Sequence, residues 1–236
     1  MDGSGGCRLG AMFVAETFVS LQGEGILVGT PAFFIRCAGC NLRCRWCDTP
    51  YASWLPEGRR RTIPELMREV HAADLRHVVV TGGEPLLQRE IGALTYALRD
   101  DRRHLTVETA ATVAPDFHCD LLSASPKIAS SDPQGGRRGR HRRLRRDREP
   151  LRVLLGRFPE FQLKFVIQDA DDMPEVLAIL DVLGGVPAER VLLMAEGRTA
   201  REVAARAPMV AALCLEHGFR YTPRLHLDLF GSGRRV

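Results

Sequence analysis

The sequence predicts an α/β fold of about six strand–helix units around a parallel sheet, and three observations carry that prediction. Short apolar runs recur at 32–36, 77–80, 105–108, 120–123, 162–167 and 191–194, as expected of strands buried on both faces. Helical patterns follow most of them, and repeated strand–helix units build parallel sheets with right-handed crossovers. The chain has 236 residues, 45% of them apolar, enough to bury one ordinary core. We therefore read 12–236 as a single domain and 1–11, which opens MDGSGG, as a disordered N-terminus. Six units fall short of a full eight-unit barrel.

Residues 13–21 (FVAETFVSL) mix β-branched and aromatic side chains and read as the first strand. It leads to Gln22-Gly23-Glu24-Gly25, where two glycines allow close approach of a ligand and Gln22 and Glu24 offer an amide and a carboxylate. A plain hairpin turn would read the same way. The strand at 32–36 (AFFIR) ends at a cysteine-rich loop. Thr62-Ile63-Pro64-Glu65 has the form of a capping box with an early proline, so a helix runs from there to about residue 72. The run at 77–80 empties into Thr81-Gly82-Gly83-Glu84-Pro85, with a helix over 86–98. Such a strand, glycine turn and helix present backbone N–H groups and a carboxylate to a small molecule. Further helices are expected at 149–158, 173–183 and 199–217. Between the strand at 105–108 and its successor, Thr109-Ala110-Ala111-Thr112 lacks the glycine or asparagine that eases a sharp turn.

The net charge is +4, yet eight arginines crowd into 137–148 and the rest of the chain is net acidic. No aromatic residue interleaves them to stack bases, so we read about 132–149 as an Arg-rich loop, a solvated loop or helix face rather than a binding arm, and expect no nucleic-acid partner. No apolar run is long enough to span a bilayer, and no membrane partner is expected. Seven cysteines, four of them between Cys37 and Cys47, do not make an extracellular framework, so a cytoplasmic location is expected. Strand alternation points Cys37 away from Cys40 as a small core residue, and Cys7, Cys119 and Cys214 read as ordinary free thiols.

Cys40, Cys44 and Cys47 stand in a C-x3-C-x2-C spacing that can wrap three thiolates around one compact inorganic centre. Structural zinc usually takes four ligands in two C-x2-C pairs, and no second pair exists, although Cys37 or a distant histidine could complete a zinc knuckle. A 4Fe–4S cluster held by three cysteines keeps one iron open for a non-protein ligand.

This loop resembles the cluster motif of the radical S-adenosylmethionine (SAM) superfamily, as does the GGEP turn at Gly82 to Pro85. With QGEG at Gln22 to Gly25, Phe34-Ile35-Arg36, Trp46-Cys47-Asp48-Thr49, Ser125-Pro126-Lys127, Gln162-Leu163-Lys164-Phe165 and Arg224-Leu225-His226, the chain resembles the 7-carboxy-7-deazaguanine synthases over nearly its whole length. The resemblance implies a partial (β/α)6 TIM-like barrel of the radical SAM type. It implies a 4Fe–4S cluster on Cys40, Cys44 and Cys47, SAM as cofactor, and Mg2+ on Thr49. On residue chemistry alone Thr49 reads equally as a helix N-cap. The pterin 6-carboxy-5,6,7,8-tetrahydropterin would meet Leu21, Gln22, Gly23, Glu24, Arg36, Thr81 and His226, the last of which also reads as a structural histidine. SAM would meet Trp46, Gly83, Glu84, Ser125, Pro126, Lys127, Met194, Ala195, Glu196 and Gly197. The implied reaction gives 7-carboxy-7-deazaguanine and ammonia for queuosine-type deazapurine synthesis. In it a 5′-deoxyadenosyl radical takes hydrogen from substrate C6 and SAM is regenerated. A flavodoxin-like electron donor and a homodimer are implied as partners.

Two rivals use the same cysteines. An activating enzyme that installs a glycyl radical shares the cluster loop and GGEP-like turn but not the pairing of QGEG with Arg36. A zinc-stabilised RNA-binding module would use the arginine run as its arm and would bind RNA with steep salt dependence.

Overall fold

The computed structural model describes residues 10–235. Most of the expected N-terminal disorder, and Cys7 with it, falls outside that span; Ala11, assigned to that terminus, instead opens the first strand. In chain order the elements are β1 (Ala11–Leu21), β2 (Pro31–Cys37), α1 (Pro50–Ser53), β3 (Arg59–Thr62), α2 (Ile63–Ala73), β4 (His77–Gly82), α3 (Ile91–Asp100), β5 (His104–Thr109) and β6 (Leu121–Ala124). They continue with α4 (Arg138–Arg146), α5 (Glu149–Arg157), β7 (Phe161–Ile167), α6 (Met173–Leu183), β8 (Val191–Ala195), α7 (Ala200–His217), β9 (Arg220–Tyr221) and α8 (Leu225–Phe230).

Among the described residues one sheet runs in the order β3-β1-β2-β4-β5-β6-β7-β8-β9. From β2 to β9 every neighbour is parallel, while β1 lies antiparallel to both β2 and β3. The six main parallel strands are the six apolar runs of the sequence, and this open sheet is the expected partial (β/α)6 TIM-like barrel. Alternation along each strand gives the sheet two different faces. Val78, Val80, Leu105, Val107, Leu163, Phe165, Leu193 and Ala195 pack outward in one core with Leu66, Leu94, Leu154, Val176 and Val210 of the helices. The inner face holds only a small apolar cluster of Phe18, Ala32, Phe34 and Val79. Thr81, Glu108, Ser123, Gln162 and Lys164 share that face with Val166 and Met194, so the concave side of the sheet is a site rather than a second core.

One irregularity brings Glu16 onto that face. Val14 pairs with Cys37 and Glu16 with Arg36, so Ala15 is an extra residue in the ladder. With Val14 held opposite Cys37, an unbulged ladder through Ala15 would set Glu16 opposite Ile35 and point it into the outer core.

Helix signals act as expected where they are local. Thr62 and Glu65 form the capping box of α2, and Thr199 and Glu202 form another at α7. Elsewhere tertiary contacts override the pattern. The helix expected over 86–98 is a single 3-10 turn, Pro85–Leu87, followed by α3 from Ile91. The break falls at Gln88, whose side chain accepts from Phe13 N–H and donates to the Ala38 carbonyl, both at 2.9 Å. β3 was not expected because RRRT is nearly all charge; it forms as an edge strand, where charge is tolerated.

The Arg-rich loop expected over about 132–149 is instead largely the helix α4. Arginine is a good helix former, and tertiary contacts hold the inner side of this helix. His141 and Arg145 are buried there. Arg145 donates to Asp132 at 2.6 Å and to Glu175 at 2.6 Å. Arg145→Ala is expected to cost about 3 kcal/mol, because Asp132 loses its closest partner in a largely buried place. Urea unfolding of the purified protein would measure it, and a loss under about 1 kcal/mol would show the pair to be worth no more than a surface bridge.

Candidate active site

The loop from β2 to α1 is fastened on several sides. Ala38 N–H donates to Phe13 O at 2.8 Å, Gly39 N–H to Ala52 O at 2.7 Å, and Arg45 N–H to Ser131 O at 3.0 Å. Arg43 N–H donates to His141 Nδ1 at 3.0 Å. Asn41 and Thr112 exchange hydrogen bonds of 2.9 and 3.1 Å. The turn after β4 docks against the same loop, with Glu84 N–H donating to Gly39 O at 2.9 Å. This approach requires glycine at position 83. A Cβ there would lie 2.3 Å from the Gly39 carbonyl oxygen and 2.8 Å from that of Ala52.

Cys40, Cys44 and Cys47 all line one cavity of about 490 Å³ at the carboxyl ends of the parallel strands. Burial pushes the Cys40 and Cys44 thiols up to about 12, so they stay protonated unless a metal's charge takes the proton's place. Among the described residues no three His, Cys, Asp or Glu side chains converge closely enough to hold a single ion. Three cysteines on one cavity are the ligand number of a cluster with one open iron, whereas a zinc knuckle needs a fourth ligand. Cys37 is buried in the outer core and cannot serve as a fourth ligand. Cys119 and Cys214 are buried there too.

Beside the thiols lies a polar cradle built from distant strands. Glu108 of β5 accepts from Gln22 Nε2 at 3.0 Å and from Thr81 Oγ1 at 2.8 Å. Glu24 is gripped by Lys164 of β7 and by Arg224 Nε, the latter at 3.2 Å. Arg224 also reaches Asp48 and the Gly197 carbonyl, so one guanidinium ties together the cluster loop, the N-terminal turn and the loop after β8. Burial alone would raise Glu24, but the charges of Lys164 and Arg224 outweigh it and hold the carboxyl well below its usual range. Burial likewise opposes the ionised form of Lys164, and Glu24 and Glu108 overcome it and raise the ammonium above its ordinary value. Burial lowers His226, leaving it neutral at pH 7. Its ring lies against the turn, where a Cβ on Gly23 would come within 2.3 Å of Nδ1.

Because Glu24 has a lower value folded than unfolded, its contribution to stability is present above the unfolded carboxyl value and is lost as pH falls through the folded one. Unfolding free energy is therefore expected to fall with acidification below about pH 4.3. Glu24→Gln should flatten that limb in a denaturant series run at successive pH values, and an unchanged slope would remove Glu24 from the account.

Arg36 lines the opposite wall. It donates to Glu16 at 2.8 Å and packs 5.4 Å from the Phe18 ring centre, and Tyr51 donates to the same Glu16 oxygen at 2.7 Å. The C-terminal segment passes over this wall, with Arg234 lying 3.9 Å from the Tyr51 ring centre and 2.8 Å from Glu57. Thr49 does occupy the N-cap position of α1, but its hydroxyl makes no capping bond and faces the cavity.

Leu21, Gln22, Gly23, Glu24, Thr81 and His226 line the cavity with these, as do Trp46, Gly83, Ser125, Lys127, Met194, Glu196 and Gly197. Lys127 donates to Ser125 at 2.8 Å and sits 5.4 Å from the Trp46 ring centre. The Trp46 indole N–H has no hydrogen-bond partner among the described residues, as befits a wall awaiting a ligand. Three expected contacts are not on this wall. Ala195 points outward into the core by strand alternation, and Pro126 is buried behind its neighbours. Glu84 is fully buried, accepting from Thr109 Oγ1 at 2.7 Å, Ala110 N–H at 2.8 Å and Leu86 N–H at 3.1 Å. Its carboxylate is thereby engaged in organising the turn. The turn without glycine is solved by Ala111, which takes φ +55° and donates its N–H to Thr109 Oγ1 at 2.9 Å.

Sequence reasoning assigned no role to Glu108, Lys164, Arg224 or Asp48. Two of them carried a signal, since Glu108 and Lys164 are each the lone Asp, Glu, Lys or Arg of a buried parallel strand. Arg224 and Asp48 carried no such signal, because neither lies in a strand.

The Radical SAM superfamily model matches residues 34–155. The chain is 41% identical to 7-carboxy-7-deazaguanine synthase of Rhodopirellula baltica, over 95% of this chain and 88% of that protein. It is 43% identical to 7-carboxy-7-deazaguanine synthase of Halobacterium salinarum, over 94% of this chain and 91% of that protein. The crystal structure of QueE from Escherichia coli superposes with a TM-score of 0.69 at 22% identity, over 92% of this chain and 95% of that one, a likeness of fold. Three thiols at the rim of a partial barrel and full-length similarity on this scale agree, and the chain belongs to the 7-carboxy-7-deazaguanine synthase family of radical SAM enzymes.

Proposed function

We propose that this chain converts 6-carboxy-5,6,7,8-tetrahydropterin to 7-carboxy-7-deazaguanine with loss of ammonia, a step of 7-deazapurine synthesis. One observation carries the reading beyond family membership: a ring of three thiols and a buried carboxylate–cation cradle share one cavity. Cys40, Cys44 and Cys47 would hold the cluster, with SAM against Trp46, Gly83, Ser125, Lys127, Met194, Glu196 and Gly197. When bound and reduced, these groups supply a radical that takes hydrogen from a substrate carbon.

The chain's own part is binding and orientation. Glu24 and Glu108 are acceptors for the N–H groups of a pterin edge, while Arg36 and Lys164 are donors for its carbonyl and carboxylate. Thr49 offers one hydroxyl to Mg2+, with substrate oxygens and water completing the shell. Neutral His226 adds a ring that fixes the turn beneath the substrate. A flavodoxin-like donor, a homodimer and a cytoplasmic setting belong to the same reading.

The test is anaerobic turnover. Protein reconstituted with iron and sulfide receives dithionite, SAM, Mg2+ and 6-carboxytetrahydropterin, and the product is sought by mass spectrometry. Formation of 7-carboxy-7-deazaguanine that vanishes in Cys44→Ala is the expected result. Cleavage of SAM without any deazapurine would overturn the substrate assignment.

A further inference from the structure

The arginine helix α4 is joined to the cluster loop by a hydrogen-bond chain with a defined direction. Arg43, next to Cys44, donates its N–H to His141 Nδ1 at 3.0 Å, which places the ring proton on Nε2. Nε2 then donates to Ser131 Oγ at 3.0 Å, and Ser131 donates to the Ile128 carbonyl at 2.6 Å. His141 is 1% exposed, so the joint between helix and loop is dry.

The outer side of α4 is a different matter. Asp132 accepts Arg138, Arg142 and Arg145, but Arg140, Arg143 and Arg146 have no acidic partner among the described residues. Spaced three apart, they share the solvent side of the helix and repel one another. In the same loop Arg45 is exposed, and exposed Arg198 donates to its carbonyl at 2.8 Å beside Glu196 and Glu202. The loop that carries the three thiols is thus joined to a helix whose Arg140, Arg143 and Arg146 carry unneutralised positive charge into solvent.

We propose that this helix face, with Arg140, Arg143 and Arg146 as its main part, is the docking surface for a small acidic one-electron carrier protein. The proposal rests on the cluster reading above. Charge complementarity argues for the occupant: a positive face joined to a redox loop steers a negatively charged partner and sets its register. In the step it serves, the reduced carrier loses one electron and the oxidised cluster gains it, with no bond or proton transferred. A nucleic acid is the weaker occupant, because no aromatic side chain lies on α4 to stack a base.

The test uses full-length protein and a recombinant flavodoxin. Affinity is measured by calorimetry over a salt series for the wild type, for the triple variant Arg140→Gln, Arg143→Gln, Arg146→Gln, and for Arg143→Gln alone, with circular dichroism to confirm folding. We expect the triple variant to bind about tenfold more weakly with a shallower salt dependence, and the single variant to fall between. Turnover driven by dithionite should be unchanged in both variants, while turnover driven by reduced flavodoxin falls. Equal flavodoxin affinity and salt slope in all three proteins would overturn the proposal. So would loss in the variants of binding to a short RNA with none to flavodoxin. Dithionite-driven turnover of the wild type tests the synthase reading separately, since binding is scored without it.

Discussion

Gly83→Ala is expected to destabilise the protein by about 3 kcal/mol and to lower turnover at least about a hundredfold. The added methyl would stand 2.3 Å from the Gly39 carbonyl oxygen, 2.7 Å from its carbon and 2.8 Å from the Ala52 oxygen. All three are backbone atoms, so no side chain can rotate aside. The turn after β4 must then retreat from the cluster loop and stretch the bonds from Gly83 N–H to Cys37 O and from Glu84 N–H to Gly39 O, now 3.0 and 2.9 Å. Both loops that frame the thiols would move. Thermal unfolding and the iron content after reconstitution measure the two effects. Gly39→Ala is the matched control: its φ is +97°, but nothing lies within 4 Å of the new methyl. It should lose only the backbone strain, about 1–2 kcal/mol. Equal damage from the two would mean that the close approach is not what glycine 83 provides.

Arg224→Ala is expected to cost about 3 kcal/mol, since Glu24 would be left short of positive charge in a largely buried place while Asp48, more open to solvent, loses less. Turnover should fall with it, because the same guanidinium positions the N-terminal turn, the cluster loop and the loop after β8. Arg224→Lys should recover little, as a single ammonium cannot reach three partners in different directions. The pairwise part can be isolated with Asp48→Asn. If the double variant loses about 1 kcal/mol less than the sum of the singles, the contact is confirmed; strict additivity would show that Asp48 and Arg224 act independently.

What the sequence disclosed divides along a physical line. Contacts made within a few residues were legible: the capping box Thr62–Glu65, the apolar strands, and the C-x3-C-x2-C loop all depend on local spacing. Contacts across the barrel were not. Arg224 and Glu24 are 200 residues apart, and nothing in either neighbourhood announces the other. Glu84 shows the same limit from the other direction. Its motif pointed to a ligand, but Thr109 and Ala110 arrive from β5 and its turn and draw the carboxylate inward. The arginine run is solvated as its composition suggested at Arg137, Arg138, Arg140, Arg142, Arg143 and Arg146, but composition gave no sign that His141 and Arg145 turn inward to Ser131, Asp132 and Glu175.

The bulge at Ala15 means that part of the site is written in chain length rather than in residue identity. Ala15, as the extra residue, lets Val14 face the outer core while Glu16, two positions on, meets Arg36 and Tyr51 on the other face. Deleting Ala15 would only straighten the ladder, with Val14 still opposite Cys37 and Glu16 opposite Arg36. Deleting the exposed Val19 would instead slide Glu16 opposite Ile35 and turn it toward the helices, so the Arg36 wall depends on how many residues separate Glu16 from the turn.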